Sequence, residues 1–183
     1  MNVSSDSQRI AASSDRRVRQ HACSSQGIRP LRATDVELLH ALLVATEVFT
    51  HEEIAIALEL MHTALNNSHQ RDYLVAVYDN PEEGGVLGYY CIGPTPATVS
   101  TYDLYWIATH PMVHGKGIGR ALLAHAEDLI RSFGGTLVIA ETSSTPRYDK
   151  TRTFYINAGY TELARIRDYY RPGDSLVVYG KYL

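Results

Sequence analysis

Three alternating glycines, Gly115-Lys116-Gly117-Ile118-Gly119, constrain this chain more than any other feature. They follow a strand-like run, Thr101–Ala108, in which Tyr102, Leu104 and Trp106 alternate with Asp103, Tyr105 and Ile107. They precede a helical pattern that runs from about Arg120 to Phe133 and stops at Gly134-Gly135. Glycine tolerates positive φ and lets a ligand approach the backbone closely. The first amides of a helix lack internal acceptors, and the helix dipole adds positive potential there. A strand, a glycine turn and a helix in this order make a site for an anion, above all a phosphate, with Lys116 and Arg120 at its mouth. Two phosphate motifs are excluded. A P-loop closes on Gly-Lys-Ser/Thr, whereas Gly119 is followed by Arg120-Ala121. The dinucleotide fingerprint needs Gly-x-Gly-x-x-Gly in a βαβ unit, and here a hairpin precedes a turn of different spacing.

The elements around the turn read from their periodicity and punctuation. Residues 27–32 suggest a short strand, with Pro30 suited to a sheet edge. Thr34–Glu37 and Thr50–Glu53 have the capping-box pattern, each followed by apolar residues at helical spacing. Asp72–Tyr78 and Val86–Ile92 read as a hairpin around the turn 80–85, and Thr136–Glu141 as a buried strand. Thr151–Asn157 is a short helix, and Tyr160–Ile166 and Leu176–Tyr182 are closing strands joined through Arg171–Asp174. The order β-α-α-β-β-β-α-β-α-β-β predicts a single α/β (α+β) domain over 27–183, with helices packed outside a mixed sheet. Residues 1–26 are rich in Ser, Arg and Gln, and are expected to be a disordered tail.

Bulk properties narrow the function classes. Apolar residues make up 45% and charged residues 20%, as in soluble globular proteins, and no run approaches a membrane span. The formal charge is -3, and four Arg and two Asp in residues 1–26 leave -5 for the rest. That argues against nucleic acid as a partner. Cys23 and Cys91 form no disulfide framework, which suits a cytoplasmic location. His110 and His114 are four apart, but Pro111 breaks the helix that would pair them, so no metal is expected.

Trp106–Pro111 followed by Gly115-Lys116-Gly117-Ile118-Gly119-Arg120-Ala121-Leu122-Leu123 resembles the acetyl-CoA motif of the GNAT superfamily, Gln/Arg-x-x-Gly-x-Gly/Ala after a long strand. Phe154-Tyr155-Ile156-Asn157-Ala158-Gly159-Tyr160 is similar to a second segment of that family, Phe/Leu-Tyr-x-x-x-Gly-Phe/Tyr. The resemblance covers about residues 28–183. It implies a mostly antiparallel, splayed sheet and an N-acetyltransferase that uses acetyl-CoA as acyl donor for a primary amine, here of a small molecule. A protein N-terminus, a lysine side chain, or a non-catalytic acyl-CoA-binding role are the alternatives, and a homodimer stays open.

The resemblance also implies site residues. Ile107 and Thr109 would pair by their backbone with the pantetheine arm, and His114, Gly115, Lys116, Gly117, Ile118 and Gly119 would hold the pyrophosphate, with Arg120 assisting or facing solvent. Tyr155 would protonate the leaving thiolate. Asp103, eleven residues before His114, and Glu141, at the end of the next strand, are the candidate bases. Alternation is expected to put Asp103, Tyr105 and Ile107 on one face. The match has departures: His114 stands where Gln or Arg is usual, and Tyr148 where many members have a cofactor-binding Asn. The acceptor pocket is expected from the two N-terminal helices and the 93–100 and 167–174 loops, including Phe49, Glu52, Glu53, Tyr169, Tyr170 and Arg171.

Overall fold

Among the described residues, seven strands form one sheet in the order β1-β2-β3-β4-β5-β7-β6, and only the β4–β5 pair is parallel. The computed structural model describes residues 27–67, 69–80 and 84–183. The expected tail, residues 1–26, lies outside the described residues. The strands are β1 (Ile28–Pro30), β2 (Leu74–Asp79), β3 (Val86–Pro94), β4 (Thr101–Thr109), β5 (Leu137–Ser143), β6 (Thr161–Arg171) and β7 (Asp174–Tyr182). The helices are α1 (Asp35–Ala45), α2 (His51–Asn66), α3 (Ile118–Ser132) and α4 (Asp149–Asn157). Pro30 does lie on an edge strand, where its missing N–H costs no ladder bond.

The sheet is covered on both faces. Leu39, Leu42 and Leu43 of α1 and Ile54, Ala57 and Met61 of α2 pack on Val75, Val77, Tyr89 and Cys91. On the other face Leu122, Leu123, Ala126 and Ile130 of α3 and Tyr155 of α4 pack on Tyr90, Ile92, Leu104, Val138, Val177 and Tyr179. Central strands are therefore apolar on both sides, which is why β3 reads as a nearly continuous apolar run. Each fully buried Leu or Ile contributes about 2 kcal/mol, so the α3 stripe alone anchors that helix. Burial pushes the Cys91 thiol up to about 12, so it stays protonated and inert. No helix among the described residues is long and apolar enough to cross a membrane.

Three local expectations fail for physical reasons. The second capping box forms, with Thr50 Oγ1 accepting from Glu53 N and Glu53 Oε2 accepting from Thr50 N at 2.7 Å. The first does not: Thr34 is helical and makes no side-chain cap bond. Its neighbour Asp35 instead accepts from Arg32 N at 2.7 Å and pairs with Arg29, which also binds Asp79. Burial opposes the Asp35 charge, but the Arg29 and Arg32 hydrogen bonds outweigh it and hold the carboxyl below its usual value. In β4, Leu104 faces Ile92 and Trp106 faces Cys91, so Tyr105 is an inserted bulge residue. Alternation breaks there, and Ile107 packs with the α3 side while Tyr105 and Trp106 pack with the α1/α2 side. Third, β6 runs five residues past Ile166. Ile166 faces Leu176 and Arg171 faces Asp174, so Arg167–Tyr170 bulge outward through Asp168 at φ 53°.

Candidate functional site

The site begins where β4 and β5 part. They pair only through Thr101–Asp103 and Leu137–Ile139. β5 continues along β7 to Ser143, while β4 continues along β3 to Thr109. A wedge opens between them, and among the described residues no strand lies beside the β4 edge there from Leu104 onward. An extended chain has room to add itself to that edge.

The glycine turn lies at the open end. After Thr109 a 3-10 turn, Pro111–Val113, is fixed by His110 Nδ1 accepting from Met112 N at 3.3 Å. His114 Nε2 lies 3.3 Å from the Thr109 carbonyl, which turns the ring back towards β4. Gly117 caps α3 in the left-handed region at φ 84°, and Gly115 is at 77°. Nothing lies within 4 Å of a side-chain carbon placed on either, so both face open space, and it is the backbone angle that requires glycine. At Gly119 such a carbon would stand 3.4 Å from the Phe154 ring, so the start of α3 and the middle of α4 approach closely.

A cleft of about 610 Å³ occupies this corner. Ile107–Thr109 and the turn residues His114, Gly115 and Gly117–Arg120 form one wall, and Arg147, Lys150, Thr151, Phe154, Asn157 and Ala158 form the other. Thr46, Val48 and Phe49 line it from the α1–α2 loop. Every cofactor candidate lines the cleft except Lys116. Arg120, Arg147 and Lys150 line it, and among the described residues no Asp or Glu does. In a chain of net charge -3, this is a locally basic lining. An acyl-CoA diphosphate fits its chemistry: free amides at a helix start, three cations, and no carboxylate to repel it.

Sequence reasoning did not single out Arg147, Lys150 and Thr151 as site residues. The available signal was two cations three apart, just before the Phe154-Tyr155 segment. Arg147 Nη2 also donates to the Glu47 carbonyl at 2.6 Å, and Tyr148 donates to Glu53 Oε1 at 2.7 Å. The segment before α4 is thus tied to the α1–α2 loop and the start of α2. Arg120 Nη2 donates to the Asn157 carbonyl at 3.3 Å, linking the two walls.

The candidate catalytic groups divide between the two faces. Tyr155 is 4% exposed and packs against Phe154, Tyr160 and Tyr179, with centroids 5.5–5.8 Å away. Its neighbour Phe154 lines the cleft, and Tyr155 does not. Burial pushes the Tyr155 phenol up, so it holds its proton at neutral pH. Asp103 and Glu141 alternate with Leu104 and Ala140 of the α3 side and so belong to the opposite face. Burial raises the Asp103 carboxyl, and burial together with Asp103 raises that of Glu141. Near them, Tyr105 stacks edge-on against Tyr73 at 5.3 Å. The β6 bulge carries Tyr169 and Tyr170, paired at 5.0 Å. Burial, and then Glu141, push the Tyr170 phenol up to about 12. Glu52 and Arg171 are exposed.

Known proteins agree with this architecture. The family model for the acetyltransferase (GNAT) domain matches residues 69–162, just over half of the chain. A protein from Desulfovibrio desulfuricans, assigned to the GNAT family of acetyltransferases, superposes with a TM-score of 0.80 at 38% identity, covering 85% of this chain and 97% of that one. The ribosomal-protein-S18-alanine N-acetyltransferase of Escherichia coli superposes at 0.65 and 18% identity, covering 85% and 92%. An aminoglycoside 6'-N-acetyltransferase complexed with coenzyme A superposes at 0.64 and 14%, covering 85% and 96%. The last two likenesses are of fold alone. No curated protein matches. Taken with the parted strands and the glycine turn, the family match and the 38% identical structure establish that the chain belongs to the GNAT family of acetyltransferases.

Proposed function

We propose that this acetyltransferase uses acetyl-CoA to acetylate the primary amine of a small, cationic molecule by direct attack on the thioester. The observation that carries the reading is the cleft between β4 and α4, which joins a glycine turn at a helix start to three cations and no carboxylate. The amides of Gly115, Gly117, Ile118 and Gly119 bind the pyrophosphate, the His114 ring joins them once it leaves the Thr109 carbonyl, and Arg120, Arg147 and Lys150 offset the remaining phosphate charge. The β4 backbone at Ile107 and Thr109, on the side turned away from β3, orients the pantetheine arm as an added strand once His114 leaves the Thr109 carbonyl. The thioester then lies in the wedge, between the faces that carry Tyr155 and the two carboxylates.

On this reading Asp103 or Glu141 takes a proton from the acceptor ammonium, directly or through water, and their raised carboxyls suit a base. The amine nitrogen forms the new bond to the acyl carbon as the carbon–sulfur bond breaks. Tyr155 donates a proton to the departing thiolate, and the second proton that the nitrogen sheds as it becomes an amide passes through water to the Tyr155 phenolate, which restores the phenol. What supports this role for Tyr155 is its place beside Phe154, which lines the cleft; burial works against it, since it makes the phenol a weaker acid. The acidic and aromatic surroundings, Asp103, Glu141, Tyr105 and Tyr170, favour a cationic acceptor. A protein N-terminus is the second reading, supported by the superposition on an enzyme named for ribosomal-protein alanine acetylation, which is as good as that on the aminoglycoside enzyme.

Release of CoA thiol over a panel of polyamines, aminoglycosides, amino acids and peptides tests the proposal. Turnover of compounds with a second positive charge near the amine supports it. Turnover confined to peptides favours the second reading, and no turnover across the panel counts against both.

A further inference from the structure

Glu127 is a buried carboxylate with no part in the proposed chemistry, and its partner points to a role. Glu127 lies on α3, nine residues after the first residue of the helix, and is 5% exposed. Lys181 of β7 reaches both its oxygens, at 2.9 and 2.8 Å. The same ammonium donates to the Ala158 carbonyl at 3.1 Å and lies 5.7 Å from the Tyr160 ring centroid. Ala158 caps the C-terminus of α4 and also lines the cleft. A cation there satisfies a terminal carbonyl and opposes the negative end of the helix dipole.

Helix α4 has nine residues, too few to be stable unaided, so its place depends on its anchors. At the front, one exposed bond from Arg120 to the Asn157 carbonyl joins the cleft walls. At the back, part-buried Lys181 joins the buried Glu127 carboxylate of α3 to the end of α4. We infer that Lys181, held by Glu127, is a positioning residue that fixes the width of the cleft between α3 and α4 by gripping the Ala158 carbonyl. The inference rests on the reading of that cleft as the acetyl-CoA site.

Calorimetric titration of the full chain with acetyl-CoA, alongside urea unfolding, tests it in the wild type, the double variant Glu127→Met/Lys181→Met, and the single variants Glu127→Gln and Lys181→Arg. Replacing a buried ion pair by apolar residues of similar size is often neutral for stability, so the double variant stays folded with a midpoint near wild type. Its Kd rises about tenfold, because small displacements of a binding wall cost affinity steeply. Lys181→Arg, which can still grip both Glu127 and Ala158, restores affinity towards wild type. A folded double variant that binds as tightly as wild type overturns the inference. Should the double variant not fold, a folded Glu127→Gln with unchanged Kd overturns it as well. A wild-type protein that binds no acetyl-CoA instead removes the reading on which the inference rests.

Discussion

The two sides of the wedge between β4 and β5 are made of different material. The side proposed to hold the donor is framed by backbone, the amides of a glycine turn and the edge of β4, with three cationic side chains around it. The opposite side is built from side chains: Asp103 and Tyr105 on β4, Glu141 on β5 and Tyr170 on β6, with Glu53 of α2 close enough to act on Tyr170. A site made of backbone can bind the same anion whatever side chains surround it. A site made of side chains from four elements sets its own specificity.

The largest effect should come from the donor backbone. Gly117 sits at φ 84°, where a β-branched residue is strained, so Gly117→Val should weaken acetyl-CoA binding about a hundredfold in calorimetry. Unaltered affinity in a folded variant would break the backbone half of the contrast. Tyr155→Phe comes next: kcat with an acceptor from the panel should fall about a hundredfold, with the Kd for acetyl-CoA unchanged. A normal kcat would make Tyr155 a packing residue, as its position behind Phe154 also allows. The double reversal Arg147→Glu/Lys150→Glu should raise the Kd about tenfold and flatten its dependence on salt, since exposed charges are screened.

The smallest effect concerns the opposite side. Asp103 and Glu141 both lose their protons at a higher pH than ordinary carboxyls, so kcat/KM should fall on acidification in a window just above the usual carboxylate range. Asp103→Asn removes one of the two reasons that the Glu141 carboxyl is raised. If Glu141 is the base, the acid limb of the pH profile should therefore move to lower pH; if Asp103 is the base, kcat/KM should collapse across the whole range. Full activity with the limb in place would remove both carboxylates from the chemistry.

The same contrast governs what could be read from the chain. The glycine turn, the strand before it and the helix after it span a few dozen contiguous residues, so local sequence carries the donor side, and all its predicted residues but Lys116 line the cleft. The order of strands and helices was equally legible from periodicity. What failed depended on distant partners. The capping box at Thr34 is displaced because Asp35 answers to Arg29 and, through it, to Asp79. The β4 bulge at Tyr105 is defined only against β3, and it moves Ile107 to the other face. Arg147 and Lys150 join the cleft because β5 and β4 diverge, which neither strand announces in its own residues.

Calorimetric titration of the wild-type protein with acetyl-CoA, repeated with CoA lacking the acyl group and with dephospho-CoA, tests the central claim most directly. The account predicts saturable one-to-one binding at micromolar to sub-millimolar ligand, weakened by salt. No heat of binding at millimolar acetyl-CoA, from a protein shown to be folded, would contradict it.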